Sequence, residues 1–300
     1  MTPFRENLRG IIGVSVCNLL FLINDTMLKV ANSEMPLGQL LFVRGLFAAV
    51  LLVPFVVATG AHRQFGLIWN WPLFWRTVSE ILAAILFLTA LFQMPIGNIN
   101  AILQVVPLMV TACAAVFLGE YIGWRRWLAI GIGFTGVLII IRPGLEGFNV
   151  FSLVALAAMG FITLRDMTTR VMSRAISALL IAFVTAIAVC LTGPVLGLVL
   201  RETWAPVSLQ GFVLTAGAAV FLIGGYLTAV DFMRHGDISV IAPFRYSVVL
   251  WAILVGFLVW GEVPDLPMLI GTVVIVATGI YTFHRERRLA QIIVESDVDR

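Results

Sequence analysis

Leu37–Ala58 reads LGQLLFVRGLFAAVLLVPFVVA, a run in which Arg44 is the one charged residue and Gln39 the one amide. A bilayer core of ~30 Å is crossed by roughly 20 apolar residues in a helix, so this stretch alone is long enough to span. Read outwards from it, the chain gives nine more runs of the same kind: Gly10–Val30, Leu73–Met94, Ile99–Leu118, Trp124–Ile141, Val150–Thr169, Ser177–Leu200, Leu209–Phe232, Ile238–Trp260 and Leu266–Phe283. The connections are short and carry breakers, among them Met35-Pro36, Met94-Pro95, Arg142-Pro143-Gly144 and Val263-Pro264. The first run follows Arg5 and Arg9 as a signal peptide would. However, Asn24, Asp25 and Lys29 interrupt its end without a small-residue cleavage pattern, so it is kept as a helix.

Composition agrees. Hydrophobic residues make up 61% of the 300 residues and charged residues 12%, with mean hydropathy +1.05; a soluble domain has about 45–50% and about 25%. A soluble fold could not hide so much apolar surface. Membrane barrels alternate polar and apolar residues over about ten positions, whereas these runs are uniformly apolar for longer. In lipid the backbone must satisfy its own hydrogen bonds, so the runs become helices. The expectation is an all-α integral membrane protein with ten transmembrane helices.

The net charge of +3 and pI near 9.0 come from short basic clusters between runs, which argues against a nucleic-acid partner. With a cytoplasmic N-terminus, twelve arginines fall inside: Arg5, Arg9, Arg63, Arg76, Arg125, Arg126, Arg170, Arg174, Arg234, Arg285, Arg287 and Arg288. Lys29, Arg142 and Arg201 fall outside. By the positive-inside rule both termini face the cytoplasm of a bacterial inner membrane. Trp69, Trp71, Trp75, Trp124 and Trp127 read as an interface belt near that side. Cys17, Cys113 and Cys190 lack the spacing of a metal site or disulfide framework and read as packing residues. No cofactor or metal is expected.

The chain repeats itself. Gly97-Asn98-Ile99-Asn100-Ala101-Ile102 matches Gly236-Asp237-Ile238-Ser239-Val240-Ile241, Gly119-Glu120 matches Gly261-Glu262, and Thr135-Gly136 matches Thr278-Gly279. Upstream, Asp25-Thr26-Met27-Leu28-Lys29 echoes Asp166-Met167-Thr168-Thr169-Arg170. The shared order predicts two five-helix repeats, residues 1–145 and 146–288, followed by a disordered cytoplasmic tail, 289–300. Five is odd, so the second repeat sits inverted, a design that permits alternating access.

These features resemble the drug/metabolite transporter superfamily, in particular its EamA-type members. Gly119-Glu120 and Gly261-Glu262, each ending the fourth helix of a half, carry the likeness, with Pro107 and Pro243 in the same pattern. Among members the chain looks most like the bacterial YddG-type exporters of aromatic amino acids. Pro243-Phe244-Arg245-Tyr246 is also similar to relatives that take up riboflavin or S-adenosylmethionine. The resemblance implies a central cavity between the halves, lined mainly by helices one, three, four, six, eight and nine.

Ionisable side chains at membrane depth mark cavities or pairs. Arg245, ~12 Å into the ninth helix, offers a planar fork that matches a carboxylate, with Phe244 and Tyr246 beside it to pack a ring. Equally, Arg245 is a fixed salt-bridge partner of Glu80, ~10 Å into the third helix. Glu80 reads either as a proton carrier, burial raising a carboxylate's pKa, or as the partner of Arg76 one turn away. Asp25 and Arg44 form a candidate ion pair or gate. Asp166, Arg165 and Arg170, their inverted relatives, read as a solvated helix end that can also act as a gate.

Gln104 and Asn24 are polar candidates for a cavity face or for interhelical hydrogen bonds. Tyr226 and Trp251 are candidates for stacking on a flat substrate or for packing. Glu120 and Glu262 read as structural residues that cap the next helix, and Pro107 and Pro243 as kinks. Gly131, Gly133 and Gly136 are expected to let the fifth helix approach a neighbour closely.

There is no nucleotide-binding loop, no His-Glu-x-x-His and no Gly-x-Ser-x-Gly. His62, His235 and His284 are too scattered for catalysis. The expected function is a monomeric secondary transporter exporting small amphipathic metabolites, most simply aromatic or hydrophobic amino acids. Uptake of riboflavin or S-adenosylmethionine and drug–proton antiport are the alternatives, with a passive channel or an intramembrane enzyme as readings from a different class.

Overall fold

A computed structural model of the chain describes residues 3–145, 148–173, 175–232 and 241–298. Arg174, Arg234, His235 and the 236–240 part of the second repeat motif lie outside the described residues, and Arg5, Arg287 and Arg288 are described in their backbone only. Among the described residues eleven α-helices follow one another: α1 (Pro3–Ala31), α2 (Leu37–Ala58), α3 (Trp71–Gln93), α4 (Ile96–Leu103), α5 (Val106–Phe117), α6 (Trp124–Ile141), α7 (Phe151–Val171), α8 (Ala178–Val199), α9 (Leu209–Phe232), α10 (Ser247–Trp260) and α11 (Leu266–Val298). A short 3-10 segment, Ala61–Leu67, follows α2, and another, Ala242–Tyr246, leads into α10. Among the described residues ten helical stretches are long and apolar enough to cross a membrane, one for each apolar run. No strand occurs among the described residues.

The breakers act where the sequence places them. Asn70 caps α3, its Oδ1 accepting from Leu73 N at 2.8 Å, and Ser177 Oγ does the same for α8 from Leu180 N at 3.2 Å. Pro107 has no N–H to offer and crowds the carbonyl four residues back. The fourth span therefore splits into α4 and α5, joined by tighter bonds from Gln104 N to Ala101 O at 3.1 Å and Val105 N to Ile102 O at 3.2 Å. Pro243 likewise sits in the 3-10 lead of the ninth span.

The two Gly-Glu motifs have a backbone role. Gly119 (φ 69°) and Gly261 (φ 67°) adopt the left-handed conformation, and the next amides, Glu120 N and Glu262 N, reach back to Ala114 O at 3.3 Å and Gly256 O at 3.1 Å. This is the glycine stop of a helix. The expected capping of the following helix by these glutamates is corrected. α6 is preceded by Gly123 with no side-chain cap, and α11 is capped by Asp265, whose Oδ1 accepts from Met268 N at 2.9 Å. A cap must sit immediately before the first helical turn, and both glutamates lie too far upstream.

The helix that begins at Leu266 runs to Val298, through a segment after Arg285 that is rich in good helix formers and free of glycine and proline.

The chain forms two compact units, each drawing on both halves of the sequence. One comprises Met1–Asn18, Gly97–Asn149 and Leu227–Arg300; the other comprises Leu19–Ile96 and Val150–Tyr226. In the first unit α6 packs along α11. A Cβ on Gly136 would meet the Gly271 carbonyl oxygen at 2.9 Å, and one on Gly271 would meet that of Gly136 at 2.5 Å, so the backbones touch. Gly133 also faces this neighbourhood, against Leu108 and Thr278, but Gly131 has nothing within 4 Å and takes no part in the close approach. At one end of this pair Arg142, left-handed at φ 52°, forms an ion pair with Asp265. Partial burial pushes the Asp265 carboxyl up, but the hydrogen bonds from Arg142 and the Met268 amide outweigh it and hold the group below its ordinary 3.8.

In the second unit α2 packs along α8, and α3 along α7. Gly38 and Gly193 make the same mutual backbone contact, a Cβ on either meeting the other's carbonyl oxygen at 2.7 and 2.5 Å. Gly45 presses on the Cys190 backbone, where a Cβ would lie 2.8 Å from Cα. The Glu202 carboxylate after α8 accepts the Gly38 amide at 3.0 and 3.1 Å, tying the end of α8 to the start of α2. α1 meets α9 through Met27 against Gly217 and Phe21 against Gly225.

Candidate functional site: a charged cavity in the second unit

α3 carries Arg76 and Glu80 one turn apart, with Nη2 3.9 Å from Oε2. α7 brings Arg165 to the same carboxylate, its Nη1 3.3 Å from Glu80 Oε2, and Arg165 also holds its neighbour Asp166 at 2.8 Å. Arg76 also donates to two hydroxyls, Nε to Thr169 Oγ1 at 3.1 Å and Nη1 to Thr185 Oγ1 at 2.8 Å. One network thus ties α3, α7 and α8 together at membrane depth, with every charge facing an opposite charge or a dipole, as burial in lipid requires.

Beside this network lies a cavity of ≈ 220 Å³, walled by Arg44, Arg76, Glu80, Thr169, Thr185 and Tyr226. Small residues make the room: Gly45 and Ala48 on α2, Ala84 on α3, Ala182 and Ala186 on α8. The Tyr226 ring stands edge-on to Phe21, with centroids 5.4 Å apart and planes at 79°. Arg44 projects from α2 about 10 Å beyond Leu37. It has electrostatic neighbours in Tyr226, Asp25 and Glu80, but no hydrogen bond or close ion pair with a described residue. Asp25 instead accepts from Asn24 Nδ2 at 2.9 Å, and the buried Asn24 Oδ1 has no partner among the described residues.

Of the sequence candidates, Glu80, Tyr226 and Arg44 come together at this cavity, and Asp166 joins its network through Arg165. Arg170 is exposed in the last turn of α7. The first unit holds the others. Arg245 is exposed, and its backbone carbonyl accepts from Asn18 Nδ2 at 3.0 Å. Pro243, Phe244 and Tyr246 line a separate apolar pocket of ≈ 520 Å³ against α11. Gln104 Nε2 donates back to Asn100 O at 3.3 Å, within its own span. Trp251 is half-buried, its Nε1 lacking a partner among the described residues. The five boundary tryptophans are all strongly exposed, Trp69 at 92%.

Arg165 was expected at a solvated helix end rather than beside Glu80, and Thr169 and Thr185 were not singled out from sequence. A signal for two of them existed. The offset that superposes Asp25 on Asp166 and Lys29 on Arg170 also carries Asn24 onto Arg165 and Arg44 onto Thr185.

A helical, multi-pass chain with charged side chains gathered around an intramembrane cavity is built as a transporter is. Residues 8–142 match the EamA-like transporter family. The chain is 24% identical to the S-adenosylmethionine uptake transporter of Rickettsia prowazekii, covering 89% of each. It is 26% identical to the riboflavin transporter of Vibrio cholerae, over 92% of this chain and 93% of that one. It is 25% identical to the pseudopaline exporter CntI of Pseudomonas aeruginosa, over 90% and 94%. A solved crystal structure shares the fold at a TM-score of 0.61 and 14% identity, covering 93% of this chain and 98% of that chain.

Proposed function

We propose that the protein is a secondary, alternating-access carrier of a small amphipathic metabolite with a charged head and a flat ring, acting as a monomer in the bacterial inner membrane with both termini cytoplasmic. The observation that carries the reading is the cavity bounded by Arg44, Arg76, Glu80 and Tyr226. It combines apolar walls with a few charged groups, the composition of a small-molecule site. Its lining runs from mid-span to Arg76, Thr169 and Ala178, at the helix ends that the arginine asymmetry assigns to the cytoplasm.

Inverted repeats are supported by the packing pattern. The second and seventh spans, α2 and α8, pack on each other, as do the fifth and tenth, α6 and α11. The contact of the third span with the sixth is the counterpart of that of the eighth with the first. Exchange of the halves maps these contacts onto themselves, and repeats so related supply two equivalent conformations.

For the substrate, the named relatives move weight from aromatic amino acids alone towards an amino acid joined to a larger ring system, as in S-adenosylmethionine; riboflavin is the second reading, favoured by the Vibrio cholerae relative. Their names include both uptake and export, so the direction is left to experiment. Purified protein in liposomes should give saturable flux and counterflow with labelled S-adenosylmethionine, tryptophan or riboflavin. Non-saturating flux without counterflow would make it a pore and overturn the carrier.

A further inference from the structure

We infer that Arg44 is the carboxylate anchor of the cavity, selecting solutes whose head group is that of an amino acid. The inference rests on the carrier reading above and assigns the recognition of charge within it. Three arginines stand in or beside the cavity, and two are spent. Arg76 gives Nε to Thr169, Nη1 to Thr185 and Nη2 to Glu80; Arg165 is held by Glu80 and Asp166. Arg44 alone of the three presents its five N–H donors without a hydrogen bond or close ion pair to any described residue.

A guanidinium so far from the helix end needs an anionic partner. Glu80 is shared between Arg165 and Arg76, and Asp25, an electrostatic neighbour of Arg44, is hydrogen-bonded to Asn24 and makes no close ion pair with the guanidinium. The charged lining consists of Arg44, Arg76 and Glu80, one positive charge in excess. The carboxylate of a zwitterionic head group meets that excess at Arg44. At ≈ 220 Å³ the space is below the roughly 300–1,000 Å³ of a drug-sized site, so it receives a head group or a small amino acid, not a whole dinucleotide-sized solute. The planar fork matches carboxylate oxygens two by two.

Arg245, the anchor expected from sequence, is the comparison. It is exposed, belongs to the other unit and lies beside Tyr246 and Cys17.

The test uses two ligand pairs that differ in the carboxylate: S-adenosylmethionine with its decarboxylated analogue, and tryptophan with tryptamine. Binding is measured by calorimetry on purified full-length protein in nanodiscs. The wild type should favour the carboxylate member of a pair by about ten- to a hundredfold, the scale of a charge-assisted hydrogen-bonded pair. Arg44→Gln should bring the ratio to about one, and Arg44→Lys, which keeps the charge and loses the fork, should leave an intermediate preference. Because Arg44→Gln removes a charge that Asp25 feels, Asp25→Asn/Arg44→Gln serves as a second variant and should show the same lost preference. Arg245→Gln should keep the wild-type ratio.

Equal wild-type binding within both pairs, failure to bind either carboxylate, survival of the preference in Arg44→Gln, or its loss in Arg245→Gln overturns the anchor. Riboflavin, which has no carboxylate, separates the two levels. Saturable riboflavin counterflow with no carboxylate preference leaves the carrier standing without this anchor, and absence of counterflow for every probe removes the carrier itself.

Discussion

The two compact units close their helix pairs alike and fill them differently. In each, a glycine of one helix touches the carbonyl of a glycine on the other, Gly136 with Gly271 and Gly38 with Gly193. In each, a carboxylate after or before the pair ties it at one end, Asp265 with Arg142 and Glu202 with the Gly38 amide. The described pocket of the first unit is apolar, lined by residues such as Phe244, Val273 and Ile280. The second sets Arg44, Arg76 and Glu80 into a cavity wall at membrane depth. Backbone contact between glycines builds both units, while, among the described residues, charged side chains line the pocket of the second and not that of the first.

The most damaging change should strike the charged unit. Glu80→Gln leaves Arg165 and Arg76 without their common carboxylate, and breaking a buried pair from one side costs about 3 kcal/mol. Thermal melting in detergent should fall accordingly, and Glu80→Gln/Arg165→Gln should recover part of the loss, since neighbours in one network are not additive. Additive losses would mean that the network is not a unit.

Next come the glycine contacts. Gly193→Val drives a side chain into the Gly38 carbonyl, and Gly271→Val does the same to Gly136; each should cost about 1–3 kcal/mol, because a backbone cannot step aside. Gly131→Ala, into open space, should melt as the wild type does or slightly higher. A large loss at Gly193 with none at Gly271 would break the claim that the scaffolds are alike.

A smaller effect is expected from Thr185→Val, which removes the acceptor of Arg76 Nη1 and should cost about 1.5 kcal/mol of stability. Thr192→Val on the same helix, whose hydroxyl only bonds back to Ala188 O, is the neutral comparison.

The smallest concerns the tie in the first unit. Asp265 is half exposed, so solvent screens its pair with Arg142 and Asp265→Asn should cost about 0–1 kcal/mol. Its carboxyl is held below the ordinary 3.8, so the folded state favours the ionised form. The contribution is complete above that value and disappears as pH falls through the lowered one. Melting points of wild type and Asp265→Asn should therefore keep a constant small gap from neutral pH down to about 5 and converge only below about 4.

Much of this was legible beforehand, for physical reasons that differ by residue. A run such as Leu37–Ala58 has one outcome in lipid, because an unpaired backbone is too costly there. Pro107 announces a broken span by its missing donor, and Gly119 and Gly261 announce helix ends by their tolerance of positive φ. Glu80 was legible as important, since a carboxylate at depth has to be accounted for. Its partner was not. Arg76 sits one turn away and is visible in sequence, but Arg165 is on α7, and no local pattern says which of several arginines will reach a given acid. Gly131, Gly133 and Gly136 look equivalent in sequence, yet only the latter two face a neighbour.

Sequence by itself determined the number and position of the membrane-crossing helices and where they stop, because apolar length, proline and glycine act through local backbone physics. Tertiary structure alone decided that Arg76 and Arg165 are satisfied while Arg44 stands open beside a cavity. A charge at depth must find its counterpart across helices, and which counterpart it finds is set by packing between residues that are far apart along the chain.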